Sequence, residues 1–166
     1  MIDRRFTVAA LAGLISSGIF RWFGLSQANA GEKFEVEKTP EQWKQQLTPE
    51  QYYILREAGT ERPYSSPLNN EKRKGTFACA GCDLPLYSSD TKFESGTGWP
   101  SFFQALPNAL IEKSDRSFMM VRTETLCRRC GGHLGHVFND GPKPTGLRYC
   151  MNGLALNFKP ADASPS

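Results

Sequence analysis

The sequence predicts a mainly β protein whose helices are short and lie near the start of the folded part. Two helix start signals occur close together between residues 39 and 52. After about residue 75 the helical period is lost, and short apolar runs such as Phe118–Arg122 and Leu154–Phe158 alternate with turn residues. Fifteen glycines and eleven prolines also favour many turns over long helices.

Composition indicates one globular domain. A chain of 166 residues, 39% hydrophobic and 22% charged, is large enough for one core, and the composition excludes a disordered, collagenous or coiled-coil protein. The formal net charge is only +3 and both signs are interspersed. No basic stripe stands out, so we expect no nucleic-acid partner.

The first thirty residues are typical of a cleavable signal peptide. Arg4 and Arg5 precede an uncharged run over residues 6–20, and a small-residue site ends at Ala30. The arginine pair suggests the twin-arginine route, and we therefore expect an exported protein, in the periplasm or an equivalent compartment. An uncleaved membrane anchor is the alternative, although the run is shorter than the 20 or so apolar residues that a span needs. The predicted organisation is a signal peptide (1–30), a flexible arm (31–38), one domain (39–160) and a disordered tail (161–166).

The two helix start signals are near copies. In each, a threonine at the N-cap precedes a proline and is followed three residues later by a glutamine, which is the capping-box pattern. The helices are predicted over 40–46 and 49–58, with Gly59 ending the second.

Four of the five cysteines form two C-x-x-C pairs, Cys79 with Cys82 and Cys127 with Cys130. Two such pairs can present four thiolates at the corners of a tetrahedron, which is what a structural zinc ion requires. Two disulfides are an alternative, because an exported protein would permit them. A thioredoxin-like redox pair is another, but the βαβ pattern expected around it is missing.

The fifth cysteine, Cys150, is either a buried inert thiol or a reactive one. In an extended segment Arg148, Cys150 and Asn152 share one face, and a cation beside a thiol favours the nucleophilic thiolate. The only histidines, His133 and His136, are candidates for the proton donor, with structural roles as the alternative. In a straight strand they would point to opposite faces, so both reach one pocket only if the chain bends, which Gly135 would permit.

A third element is the loop from Gly96 to Phe102, in which Trp99 stands between glycine and proline. This tryptophan is either an exposed aromatic wall of a site or a core residue that anchors the loop.

Taken together, these motifs resemble the methionine-R-sulfoxide reductases. The matching stretches are Cys79–Cys82, GWPSF at 98–102, CRRCGGHLGHVFND at 127–140 and GLRYCMN at 146–152, and the likeness covers roughly residues 39–158. The resemblance implies two twisted antiparallel sheets with short helices before them, clamped by zinc. It also implies reduction of the R epimer of methionine sulfoxide, free or in oxidised proteins, without an organic cofactor.

The resemblance assigns roles to individual residues. Cys150 would attack the sulfoxide sulfur and become a sulfenic acid. Trp99 would pack against the substrate methyl group, with Phe102 as a second substrate-binding residue. The sulfoxide oxygen and its proton would be handled by His133, His136 and Asn152. Arg148 would tune the thiolate, and the four paired cysteines would hold zinc away from the chemistry.

The sequence departs from many relatives at Thr97, where a resolving cysteine often stands. We therefore expect a one-cysteine cycle in which a small thiol or a thioredoxin-type protein restores Cys150. We also expect the enzyme to work as a monomer and to repair oxidative damage. Two other functions compete: a non-catalytic binding module on the same scaffold, and a general thiol–disulfide oxidoreductase that works through C-x-x-C.

Overall fold

A computed structural model of the chain describes residues 33–116 and 121–161. The predicted signal peptide lies outside the described residues, as does the predicted tail beyond residue 161. Within the described part, no helix has the length and apolar character needed to cross a bilayer. Residues 33–38, predicted as a flexible arm, are attached to the domain through Val36, whose amide donates to the Arg129 carbonyl at 2.9 Å.

The two predicted helices are present as α1 (Pro40–Gln46) and α2 (Pro49–Glu57). Both begin with the predicted capping box. The Thr39 and Thr48 hydroxyls each accept from the backbone amide three residues on, and the glutamine at that position accepts from the threonine amide. These reciprocal bonds satisfy amides that a helix otherwise leaves without partners.

The second helix ends one residue earlier than predicted. Ala58 takes the left-handed conformation with φ 52°, and Gly59 follows it outside the helix. Trp43 of α1 and the buried pair Ile54 and Leu55 of α2 fix the helices to the sheets.

The smaller of two antiparallel sheets has three strands. Its centre is β1 (Gly75–Cys79), flanked by β2 (Pro85–Ser88) and by β9 (Leu156–Pro160), which returns from the end of the domain. The strand predicted from residue 154 begins at Leu156 because residues 153–155 form a 3-10 turn.

The larger sheet has six strands in the order β3-β4-β8-β7-β6-β5, all antiparallel. The prediction of a mainly β fold with two antiparallel sheets and short preceding helices is confirmed. The strands are β3 (Lys92–Phe93), β4 (Ser101–Phe102), β5 (Leu110–Asp115), β6 (Arg122–Cys127), β7 (His133–Phe138) and β8 (Arg148–Met151).

The core between the sheets is built on aromatic rings. Phe102 of the six-stranded sheet is fully buried and stacks on Tyr87 of the other sheet at 4.3 Å, while its edge meets Phe77 at 4.9 Å. Phe102 was predicted to bind substrate. The structure corrects this, because the Phe102 ring is fully buried in the core. Successive residues of a strand face opposite ways, and Phe102 pairs with the buried Tyr149 whereas Ser101 pairs with Cys150.

Candidate active site

Strand β8 shows the predicted alternation. Arg148 and Cys150 are half-buried, whereas Tyr149 and Met151 are buried in the core. Cys150 therefore points to the face of the sheet that is not filled by the core.

A cavity of about 200 Å³ opens over Cys150. It brings together four predicted site residues: Trp99 from a loop, His136 from β7, Cys150 from β8 and Asn152 from the position just after β8. Small ligands bind in concave, mostly apolar sites with a few placed polar groups, and this lining has that character. The lining residues are Thr60, Trp99, Arg122, Gly135, His136, Phe138, Cys150 and Asn152.

A β-bulge sets the direction of the two histidines. Strand β6 pairs Leu126 with His133 and Thr125 with Gly135, so Leu134 is an extra residue on β7 that interrupts the alternation. The rings of His133 and His136 consequently lie 5.5 Å apart on one side of the sheet, as the predicted bend requires.

Gly135 allows the two central strands to approach closely. A Cβ at this position would stand 2.1 Å from the carbonyl oxygen of Cys150 and 3.0 Å from the Cα of Met151. Any side chain would therefore push β8 away from β7 at the point where Cys150 faces the cavity.

His136 is the histidine that lines the cavity with Cys150. Its Nε2 lies 2.9 Å from Oδ2 of Asp115, which also accepts from Arg122 at 2.6 Å. A carboxylate only accepts, so Nε2 carries the hydrogen and Nδ1 is the basic nitrogen of the neutral ring. Burial lowers the pKa of His136, with opposition from the Asp115 bond, and so keeps this ring neutral in the empty site at neutral pH.

His133 belongs to a neighbouring cavity of about 300 Å³, which shares Thr60, Arg122 and His136 with the first. Its side chain is only 5% exposed, and Nδ1 lies 2.6 Å from Oε1 of Glu124. His133 thus lies next to His136 but lines the neighbouring cavity and not the one over Cys150.

Burial is the largest influence on Cys150, and it raises the pKa of the thiol. The Thr97 hydroxyl, 3.9 Å from Sγ, and Arg148 both act in the opposite direction. Arg148, however, is held by Asp140 through two parallel bonds of 2.9 and 2.8 Å, and that carboxylate works against the thiolate. The sequence led us to expect an ionised sulfur, whereas in the empty site burial outweighs Arg148 and favours the thiol.

Glu61 fixes two walls of the cavity through its backbone. Its carbonyl accepts from Nε1 of Trp99 at 3.2 Å, and its amide donates to Oδ1 of Asn152 at 3.0 Å. Asn152 also donates from Nδ2 to the Leu134 carbonyl at 3.1 Å. Trp99 is half-buried, so it is both the wall and the loop anchor that the sequence offered as alternatives.

The Glu61 side chain belongs to a larger cavity of about 670 Å³ on the far side of this segment. Its carboxylate accepts from the amides of Gly153 at 2.6 Å and Leu154 at 3.0 Å. Among the described residues that line this cavity, Glu61 is the only ionisable one, and none is a histidine or a cysteine. The smaller cavity, which Cys150 and His136 both line, is therefore the candidate active site.

The other four cysteines form a candidate metal centre. Their sulfurs lie within 4.8 Å of one another, with 3.8 Å between Cys79 and Cys130 and 3.4 Å between Cys82 and Cys127. A tetrahedral ion with bonds of about 2.3 Å to sulfur separates its ligands by roughly 3.8 Å, so the set could hold a metal ion such as zinc. None of the five cysteines forms a disulfide in the structure.

The two pairs sit on matching turns, one between β1 and β2 of the three-stranded sheet and one between β6 and β7 of the six-stranded sheet. Cys79 ends β1 and Cys127 ends β6, and each of these cysteines accepts through its carbonyl from the amide four residues on, at 2.8 Å. The residues that donate, Asp83 and Gly131, both have positive φ, at 64° and 67°. An ion held here would tie the three-stranded sheet to the six-stranded one.

Sequence reasoning missed the residues that support Trp99, Asn152 and the two histidines. Asp115 and Arg122 lie on neighbouring strands β5 and β6, Glu124 is two residues further along β6, and Glu61 follows α2. No spacing in the sequence connects these charged residues to His136 or Cys150, because only the strand order brings them together.

Comparisons with known proteins agree with this geometry. The model of the SelR domain matches residues 47–160. Over 125 residues the chain is 58% identical to "Peptide methionine sulfoxide reductase MsrB" of Methanosarcina barkeri, a match that covers 75% of this chain and 88% of the relative. It is 57% identical over 127 residues to the protein of the same name from Leptospira interrogans, covering 76% and 97%. Among solved structures, a Mis18 "Yippee-like" domain aligns with 52% of this chain and 96% of its own, at TM-score 0.44 and 21% identity, which is too distant to bear on function.

Proposed function

The chain belongs to the SelR-domain family of peptide methionine sulfoxide reductases MsrB, and on that premise we propose how its residues carry out the reaction. It is an oxidoreductase that reduces the R epimer of methionine sulfoxide and so repairs oxidised proteins. The observation that supports the assignment of roles is the single cavity that joins Cys150, His136, Asn152 and Trp99.

The cavity suits the end of one methionine sulfoxide side chain. At about 200 Å³ it has room for a methyl group, a sulfur and an oxygen, but not for a folded segment. We place the methyl group against the Trp99 ring and the sulfoxide oxygen toward His136 and Asn152. One hydrogen of Asn152 Nδ2 goes to the Leu134 carbonyl, and the second serves the oxygen.

The chemical step transfers one oxygen atom and two electrons. The Cys150 thiol gives its proton to Nδ1 of His136, which passes it to the sulfoxide oxygen, and the thiolate attacks the substrate sulfur. The protonated oxygen then leaves the substrate sulfur and bonds to Sγ of Cys150, while the sulfur–sulfur bond formed by the attack breaks, so that methionine leaves and Cys150 is left as a sulfenic acid. The methionine sulfur is reduced by two electrons, and the cysteine sulfur is oxidised by two. His133, hydrogen-bonded to Glu124, supports His136 from the neighbouring cavity.

An external thiol completes the cycle. The hydroxyl of Thr97 occupies the position 3.9 Å from Cys150, and the remaining four cysteines are gathered in the candidate metal centre. A first thiol displaces water from the sulfenic acid to give a mixed disulfide, and a second thiol releases Cys150 with formation of its own disulfide. A small thiol or a thioredoxin-type protein supplies both equivalents.

The four-cysteine cluster holds one structural zinc ion in this proposal. Cys79, Cys82, Cys127 and Cys130 would be its ligands, and the ion would supply only a link between the sheets. In β6, Cys127 lies three residues beyond Glu124, the cross-strand partner of His136, which is about 10 Å along a strand. The metal centre is thereby separated from the chemistry.

The direct test is an assay on separated R and S epimers of methionine sulfoxide with dithiothreitol as reductant. We expect turnover of the R epimer alone, and turnover restricted to the S epimer would contradict the assignment. Cys150→Ser should abolish turnover while zinc content and fold are retained. A binding module would keep its function in that variant, and a C-x-x-C oxidoreductase would hold no metal at its paired cysteines.

Export is proposed on the strength of the N-terminal sequence alone. The arginine pair at positions 4 and 5 precedes a short apolar run and an A-x-A site, as in secretory signals. Cell fractionation with mass measurement of the mature N-terminus should find a protein that begins near residue 31 outside the cytoplasm. An intact N-terminus in the membrane fraction would favour the anchor instead.

A further inference from the structure

Three hydroxyl groups form a continuous chain that ends at the reactive sulfur. Ser101 Oγ lies 2.7 Å from Ser95 Oγ, which lies 2.8 Å from Thr97 Oγ1, and Thr97 Oγ1 lies 3.9 Å from Sγ of Cys150. The far end of the chain is the backbone carbonyl of Trp99, which accepts from Ser101 at 3.1 Å. The chain therefore connects the nucleophile to the segment that carries the Trp99 wall.

The direction of this chain follows from counting hydrogens. Each hydroxyl has one hydrogen to donate and two lone pairs. Ser101 gives its hydrogen to the Trp99 carbonyl, so the hydrogen between Ser101 and Ser95 comes from Ser95. Ser95 already receives the Thr97 amide at 3.4 Å, and its second lone pair receives the Thr97 hydroxyl. In this arrangement the oxygen of Thr97 faces the sulfur as an acceptor.

We propose that Ser95 and Ser101 are positioning residues that direct the Thr97 hydroxyl hydrogen away from Cys150 in the empty site, and that the chain reverses when the sulfur becomes an anion. Reversal turns all three hydroxyls: Thr97 donates to the sulfur, Ser95 to Thr97, and Ser101 to Ser95. The Trp99 carbonyl then loses its bond from Ser101. Formation of the thiolate is thus coupled to the substrate wall.

The proposal agrees with the electrostatics of the site. Burial raises the pKa of Cys150, and a bond from the Thr97 hydroxyl lowers it, so the direction of that hydroxyl matters. The charged and titratable groups around the cavity act in both wild type and hydroxyl variants, since none is part of the chain. They are Arg148 and Asp140 beside the sulfur, His136 across the strand pair, and Arg122 with its partner Asp115.

The test measures how fast iodoacetamide alkylates Cys150 as a function of pH, with mass spectrometry of the Cys150 peptide in the zinc-loaded protein. Thr97→Val removes the donor, and we expect its midpoint to rise by about one pH unit. Ser95→Ala removes the acceptor that holds the Thr97 hydrogen, so its midpoint should fall below that of wild type. Ser101→Ala frees the Ser95 hydrogen for Thr97 and should lower the midpoint as well. Thr97→Ser is the matched control and should behave as wild type.

Opposite signs for the threonine and serine variants are the distinguishing result. If Ser95→Ala and Ser101→Ala leave the midpoint unchanged or raise it, the proposed direction of the chain is wrong. Ser101 is fully buried, so Ser101→Ala could fail to fold. Ser95 is only half-buried, and Ser95→Ala then tests the direction of the chain by itself. The role in catalysis rests on the proposed function, but alkylation needs no sulfoxide substrate. Failure of either one is therefore distinguishable from failure of the other.

Discussion

His136 and Cys150 are direct cross-strand partners on β7 and β8. Side chains of such partners point to the same face of a sheet, with Cβ atoms about 5 Å apart. The imidazole and the thiol are therefore held together by sheet register, with no loop closure required. The bulge at Leu134 and the close approach at Gly135 occur in the same stretch of β7, so the strand geometry itself creates the site.

Replacing each of the two histidines by glutamine in turn should separate their roles. His136→Gln removes the base that lines the Cys150 cavity, and we expect kcat to fall about 100-fold or more. His133→Gln disturbs the bond to Glu124 in the neighbouring cavity and should lower kcat less, with a larger loss of thermal stability because the side chain is buried. Steady-state kinetics and thermal unfolding of both variants check this. A larger catalytic loss in His133→Gln than in His136→Gln would show that His133, and not His136, transfers the proton.

Trp99 and Phe102, the two aromatic residues of the segment from Gly96 to Phe102, should likewise differ, one affecting substrate binding and the other stability. Trp99→Leu removes the cavity wall and should raise KM for methionine sulfoxide severalfold with a modest change in stability. Phe102→Leu removes a core ring and should lower the free energy of unfolding by about 1–3 kcal/mol while KM stays near the wild-type value. If Phe102→Leu instead changed KM at unchanged stability, the placement of this ring in the core would be wrong.

These two rings illustrate what the sequence could predict. The alternation along β8 was visible because Arg148, Cys150 and their neighbours form a regular strand. The strand that contains Phe102 is only two residues long, so its facing is set by its pairing with β8 and not by a pattern of its own. Capping boxes were predicted well because they depend on residues three apart.

The charged supports of the site could not be predicted for a related reason. Asp115 bonds to His136 across a strand that lies between them in the sheet, and Glu61 reaches Asn152 from a segment far away in sequence. Such contacts depend on strand order and loop path. The raised pKa of the Cys150 thiol in the empty site could not be predicted either, since the sequence shows the Arg148 charge but neither the burial of the thiol nor the bonds that hold Arg148 to Asp140.

Substitutions of Asp140 and of Arg148 should shift the pH midpoint of Cys150 alkylation in opposite directions. Because the pKa of the Cys150 thiol is raised, the thiolate forms only at a pH above the ordinary pKa of a cysteine. At lower pH the thiol predominates and alkylation is slow. Asp140→Asn releases Arg148 and removes a negative charge, so the midpoint of alkylation should fall. Arg148→Met should raise it. The raised pKa also means that the folded state loses stability as pH rises through it. Midpoints that move the other way would show that Arg148 does not act on the sulfur.

Removal of the metal should loosen the whole domain. Binding of structural zinc contributes about 10–16 kcal/mol in zinc-finger peptides, which is comparable with the total stability of a domain. We expect one equivalent of zinc, and a fall in Tm of more than about 10 °C after chelation or in Cys82→Ser. Cys150→Ser, which leaves the four ligands in place, is the control and should keep both metal and Tm. An unchanged Tm in the metal-free protein would show that the cluster does not join the sheets energetically.

The most direct test of the account is a single turnover without any reductant. Zinc-loaded protein is mixed with excess R methionine sulfoxide, the methionine formed is counted, and the cysteine peptides are mapped after dimedone is added. If Cys150 works alone, one equivalent of methionine appears, dimedone labels Cys150, and the four paired cysteines stay unmodified. An intramolecular disulfide between Cys150 and one of those four would contradict the account.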